Sequence, residues 1–191
     1  MKHSTSLITL VSIVLVLACS CPASQVIVST PTNSPFGTSI AQPPESLGTS
    51  RDNPAPFGSS ITVHSITIKV DQTTRPANEF LTSSNVFYLT PEPGNEYLLV
   101  ELSITCNLPS NEKCSLIPPV EFQAVTSAGN VINVTPLIEL SGQFEFGVEL
   151  FGEASTTGKL LYEVPQDDEN IILLYEPMLD ISGTKVFMAL K

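Results

Sequence analysis

Alternation of apolar and polar residues dominates the later two thirds of the chain. Over residues 97–106, Leu98, Val100, Leu102, Ile104 and Cys106 share one parity, while Glu101, Ser103 and Thr105 share the other, with Leu99 as an exception. A period of two sends successive side chains to opposite faces, so this stretch predicts a half-buried strand. Phe144, Phe146, Val148 and Leu150 alternate in the same way with Gln143, Glu145, Gly147 and Glu149. Leu160, Tyr162 and Val164 alternate with Lys159, Leu161 and Glu163, and Val186, Met188 and Leu190 mark a last strand. Val120, Phe122 and Ala124 predict one in the middle, followed by the turn Ser127-Ala128-Gly129-Asn130 and a return over 131–135. Near the start, Ile61 and Val63 have one parity and Ile66, Ile68 and Val70 the other; a bulge at His64-Ser65 would repair the slip. No stretch carries a convincing helical period. Many short strands between Gly, Pro and Asn turns predict an all-β sandwich or barrel, placed at residues 59–191.

The first 58 residues follow other rules. Residues 7–18 (LITLVSIVLVLA) form an apolar run behind the basic start Met1-Lys2-His3. The run is too short to cross ~30 Å of hydrocarbon but fits the core of a signal peptide, here 1–18. Val16-Leu17-Ala18-Cys19 resembles the bacterial lipobox, in which a small residue precedes the Cys that receives diacylglycerol. Acylation at Cys19 predicts stable membrane anchoring, because two chains bury enough methylenes where one is marginal. Cys21 is the alternative lipid acceptor. An ordinary secretory signal cut near Ala18 or Ala23, or a retained anchor, are the competing readings. Residues 22–58 hold seven Pro and ten Ser or Thr, with Glu45, Arg51 and Asp52 as the charged residues. That composition predicts a disordered, extended linker over 19–58.

Charge and cysteine usage narrow the picture. The chain carries 8 Lys plus Arg against 19 Asp plus Glu, a net charge of −11. An acidic surface repels phosphates, so nucleic acid is excluded as a partner. Cys106 and Cys114 flank the polar stretch Asn107 to Lys113, and outside the cytosol a disulfide between them is expected; the alternative is two free, partly buried thiols.

The segment Asn95-Glu96-Tyr97-Leu98-Leu99-Val100-Glu101-Leu102-Ser103-Ile104 resembles a strand of the family catalogued as domain of unknown function 4352. Gly152-Glu153-Ala154-Ser155-Thr156-Thr157-Gly158-Lys159-Leu160-Leu161-Tyr162-Glu163-Val164-Pro165 resembles its most characteristic stretch. Ile171-Ile172-Leu173-Leu174-Tyr175 and the leading Arg51-Asp52-Asn53-Pro54-Ala55-Pro56-Phe57-Gly58 are similar too. The resemblance covers about residues 51–190. It implies an immunoglobulin-like antiparallel β-sandwich of about seven to nine strands, found in bacterial secreted proteins and lipoproteins and related to secreted immunoprotective antigens. It implies no catalytic residues.

The residues themselves offer little chemistry. His64 is the one histidine beyond the signal, and no Gly-x-Ser-x-Gly elbow accompanies it. Asp167, Asp168 and Glu169 are weak candidates for a metal site; a solvated turn explains them better, since their spacing matches no cation loop. No cofactor is implied and no enzyme is expected. The expected function is that of an exported envelope lipoprotein, held at the cell membrane or outer surface. It would present a non-catalytic module to an envelope protein or small ligand. An unrecognised metal-dependent envelope enzyme, and a structural or stress-related protein without a discrete ligand, are the alternatives.

Overall fold

The computed structural model describes residues 47–83, 90–135, 140–178 and 180–191. The signal segment, Cys19, Cys21 and the linker up to residue 46 lie outside them. Ten strands are described: β1 (Ser60–Val63), β2 (Ile66–Thr74), β3 (Asn95–Cys106), β4 (Lys113–Leu116), β5 (Phe122–Val125), β6 (Val131–Ile132), β7 (Val148–Phe151), β8 (Ser155–Pro165), β9 (Ile172–Tyr175) and β10 (Val186–Ala189). Two short helices, α1 (Asn78–Ser83) and α2 (Pro118–Glu121), interrupt them.

The strands form an antiparallel β-sandwich. One sheet has the order β1-β2-β3-β8, the other β10-β9-β5-β6, and β4 pairs with β7 as a separate ribbon. With β2, β3 and β8 in the A, B and E places and β5, β6, β9 and β10 in the C, C′, F and G places, this is the immunoglobulin-like arrangement. β7 holds the D position by chain order but pairs inside the β3–β5 connection instead. The inner faces meet as the alternation requires. Ile68, Leu102, Ile104 and Leu160 from one sheet and Phe122 and Leu173 from the other are wholly buried in one cluster.

Leu99 breaks the alternation for a structural reason. It pairs with Leu161 across β3 and β8 on the outer face of the sheet. There, with Ala77, Leu81, Tyr97 and Leu140, the two build a second small core, to which α1 contributes Leu81. Burial of one helical residue on a sheet face explains how a six-residue helix with no visible period persists.

Other expectations need correction. The parity change after Val63 is no bulge: β1 and β2 form a hairpin in which Val63 pairs with Ile66, and only His64 and Ser65 lie between them. His64 takes φ +50°, the sign that two-residue hairpin turns favour. Val120 lies on α2, not on a strand, because Pro118 and Pro119 begin a helical turn, and it is left exposed. The strand expected from Phe144 starts only at Val148. Phe144 instead lies over Gly158 of β8, where a Cβ would meet ring atoms at 2.6 Å, and Phe146 is exposed. The linker also ends before residue 58. Gly48 and Ala55 run along β10, with Ala55 N–H donating to Phe187 O and Ala189 N–H to Ala55 O, both at 2.8 Å. On the opposite edge of the sandwich, β8 is covered by Thr135 N–H donating to Leu161 O and Lys159 N–H donating to Gly142 O.

Tyr162 carries an anomaly. Its ring is fully buried on β8, and its hydroxyl has no hydrogen-bond partner among the described residues. Burial pushes its phenol well above the ordinary value. A buried hydroxyl without a partner forfeits its hydration for nothing in return. Tyr162→Phe is therefore expected to raise stability by about 1 kcal/mol. A urea midpoint at or below wild type would show that the hydroxyl is satisfied in solution.

Candidate functional site

The long connections gather at one end of the sandwich. The β3–β5 connection carries β4 and α2, and the β9–β10 connection runs over 176–185. In immunoglobulin variable domains the corresponding B–C and F–G loops form the recognition end. Here they enclose an open groove of about 370 Å³, lined by the β1–β2 turn, β4, Glu121, Tyr175, Pro177 and Asp180. A second concavity of about 270 Å³ shares Pro177 and Asp180 and adds the exposed Val120 and Met178.

Three acidic or phenolic groups set the chemistry of this groove. Glu121 is the last residue of α2 and is buried at 7% exposure. Its Oε2 accepts from Ile117 N–H at 2.9 Å and its Oε1 from Met178 N–H at 3.2 Å, so one carboxylate joins the two connections. Tyr175 closes β9, 4% exposed, with its ring 4.8 Å from that of Phe122. Burial above all, then the charges of Glu121 and Asp180, pushes its phenol upward. Asp180 organises the β9–β10 connection. It accepts from Ser182 N–H at 2.8 Å, from the Ser182 hydroxyl and from Thr184 N–H at 3.0 Å. The Ser182 and Thr184 side chains foremost hold its carboxyl well below the usual range.

The cations at the rim are engaged elsewhere. Lys113 Nζ donates to Glu149 Oε2 at 2.8 Å and stands 5.0 Å from the centre of the exposed Phe151 ring. Lys185 pairs with Glu176 at 3.0 Å. His64 lines the groove from the hairpin turn, its Nε2 3.8 Å from Asp180 Oδ2, beyond a hydrogen bond. The Ser182 hydroxyl binds the carboxylate and not the imidazole, so the order needed to activate a serine is absent from this trio.

The expected cysteine pair is bonded. Cys106 ends β3 and Cys114 sits in β4, Cα atoms 5.8 Å apart, and Cys114 lines the groove. The acidic stretch lies away from the groove lining. Asp168 Oδ2 accepts from Ser127 N–H at 2.7 Å and Oδ1 from Asn170 N–H at 3.0 Å, while its carbonyl accepts from Arg75. Arg75 also donates to Pro165 O and pairs with Glu96. Asp168 thus fastens a turn, Asp167 and Glu169 face solvent, and among the described residues no three metal-ligating side chains converge. Sequence reasoning missed Glu121, Tyr175 and Asp180. The one local signal was Asp180-Ile181-Ser182-Gly183-Thr184, where an Asp followed by hydroxyl residues marks a self-bonded turn.

The family described as Domain of unknown function (DUF4352) matches residues 56–186. The crystal structure of the yjhA protein from Bacillus subtilis is similar at 14% identity and a TM-score of 0.52, over 72% of this chain and 99% of that one. An uncharacterized beta-sandwich protein from Clostridium difficile 630 is similar at 12% identity and a TM-score of 0.40, over 72% and 95%. No curated protein matches the chain. At such identities the likeness concerns the fold alone.

Proposed function

We propose that this chain, which belongs to the DUF4352 family, is an exported lipoprotein held on a membrane through Cys19, whose sandwich presents a non-catalytic recognition groove. The observation that carries the reading is the groove's position. It lies between the two long connections of an immunoglobulin-like sandwich, beside exposed Val120, Met178 and Ile181. Apolar side chains left exposed beside convergent polar groups favour binding over mere solvation. The lipobox-like Val16-Leu17-Ala18-Cys19 supports the address, and the Pro- and Ser/Thr-rich stretch after it supports a tether.

The two parts are tested separately. Metabolic labelling with an alkyne fatty acid is expected to mark the wild type and not Cys19→Ser. Label retained in Cys19→Ser and lost in Cys21→Ser moves the anchor to Cys21, and no label in the wild type removes it. A photo-reactive residue at exposed Ser115, on the groove wall, is expected to give discrete adducts in cells. Adducts from Ser127, at the far end of β5, with none from Ser115 would overturn the groove as the recognition surface.

A further inference from the structure

We propose that the groove binds an extended, basic peptide segment of a partner protein, which adds to the open edge of β4 as a further strand. The inference rests on the groove being the recognition surface and names the form and charge of what it recognises.

The direction of the backbone groups along β4 carries the inference. β4 pairs with β7 alone. Just beyond their ladder, Gly152 N–H donates to Glu112 O at 2.9 Å, so residue 112 turns its carbonyl toward the β7 side. Backbone groups alternate in direction along an antiparallel strand. Cys114 and Leu116 therefore pair toward β7, while Lys113 and Ser115 present their N–H and C=O groups on the opposite edge. Among the described residues no backbone group bonds Lys113 or Ser115 on that edge. Two residues on, Ile117 N–H is taken by Glu121 Oε2 at 2.9 Å, which closes the row at one end. All four residues of β4 line the groove, so the open edge borders the space itself. An unpaired row of N–H and C=O groups along a groove wall is a template for strand addition.

Shape and charge choose the occupant. The edge is recessed: Cys114 Sγ lies 3.5 Å from Ser65 O of the β1–β2 turn, and Pro177 and Asp180 stand in the same groove. A single extended chain enters such a space, whereas the equally recessed β4 of a second copy does not. Val63, Ile66 and Leu116 give alternate side chains of the guest an apolar wall. The carboxylates of Glu121 and Asp180 on this groove, and the net charge of −11, favour a basic segment over an acidic one. Lys113 does not offset them, because Glu149 neutralises its ammonium at 2.8 Å.

The test is calorimetric titration of the full-length chain in neutral detergent with acetyl-Lys-Val-Thr-Val-Thr-Lys-amide. The acidic counterpart has Glu at both ends. Saturable binding of the basic peptide, and weaker binding of the acidic one, are expected. Methylating the amide nitrogens of both valines blocks one edge of the peptide strand, and methylating those of both threonines blocks the other. One of the two methylated peptides is expected to bind about tenfold more weakly and the other to keep its affinity, because a strand pairs through one edge. Ser115→Pro removes an N–H that β7 does not use, which an edge strand tolerates, and is expected to weaken binding about tenfold. Ser115→Ala keeps the backbone and should bind as wild type. If Ser115→Pro does not fold, the methylated peptides decide. No saturable binding, equal binding of the acidic peptide, equal effects of the two methylations, or unchanged affinity in a folded Ser115→Pro overturns the inference. So does a concentration-dependent dimer that Ser115→Pro abolishes, which would give the edge to a second copy. Adducts at Ser115 without peptide binding sink the strand pairing alone, whereas adducts only at Ser127 sink the groove as well.

Discussion

Gly152→Ala is expected to destabilise the domain by about 3 kcal/mol, close to the limit a small domain tolerates. The cause is contact rather than backbone freedom. A Cβ at this position would lie 2.1 Å from the carbonyl oxygens of both Leu108 and Pro109. Those atoms are backbone and have little room to retreat. Pro109 O accepts from Glu112 N–H at 2.9 Å, and Glu112 O accepts from Gly152 N–H at 2.9 Å. The next residue is equally held, with Glu153 N–H donating to Cys106 O at 2.8 Å. The β7–β8 turn is thus seated inside the 107–112 loop, and one methyl group must push the two apart. Urea denaturation checks it, with Gly147→Ala as the control. Gly147 has nothing within 4 Å of its virtual Cβ, so its substitution should stay within about 0.5 kcal/mol of wild type. Equal midpoints for the two variants would mean that the loop yields freely.

The second large effect concerns the bridge that closes the same loop. Replacing Cys106 and Cys114 together by Ala is expected to cost about 2–3 kcal/mol, the entropy that a short closed loop removes from the unfolded chain. Wild type unfolded under reductant should fall on the curve of the double variant. Insensitivity to reductant would show that the bond adds nothing to stability. Because Gly152 presses on the bridged loop, the Gly152→Ala and bridge effects should sum to less than their separate values. A loop already freed by loss of the bridge can move aside for the methyl group.

Much of the sandwich was legible because its strands have one buried face. The run Leu98, Val100, Leu102, Ile104 needed no context to be placed inward. Leu99 and Leu161 disturbed the pattern because the sheet is buried locally on both faces, under a helix too short to announce itself. At His64-Ser65 a hairpin and a bulge look the same in sequence, because a chain reversal and an inserted residue shift parity alike. Only pairing distinguishes them, and pairing is not written in a single strand. Phe144 and Phe146 kept a strand's rhythm, yet the ring of Phe144 was needed over Gly158, a demand set by another segment. The disulfide was legible from local spacing beside a strand. The groove was not. Glu121, Tyr175 and Asp180 are ordinary residues in ordinary turns, and the fold alone converts them into one acidic surface. Cys19, by contrast, owes its expected role to adjacent residues, which sequence reads directly.

The cover over the outermost strands bears on crowding. The membrane display proposed above would bring copies of the domain side by side, at local concentrations far above those in solution. Open strand edges would then invite sheet-to-sheet growth. Here Gly48 and Ala55 occupy the β10 edge, Gly142 and Thr135 occupy part of the β8 edge, and the other edges among the described strands are short: β1 and β6 span four and two residues, and each strand of the β4–β7 ribbon spans four. The segments that clasp the sandwich thus also insulate it, so that neighbours packed shoulder to shoulder in such a display would find few backbone groups with which to polymerise.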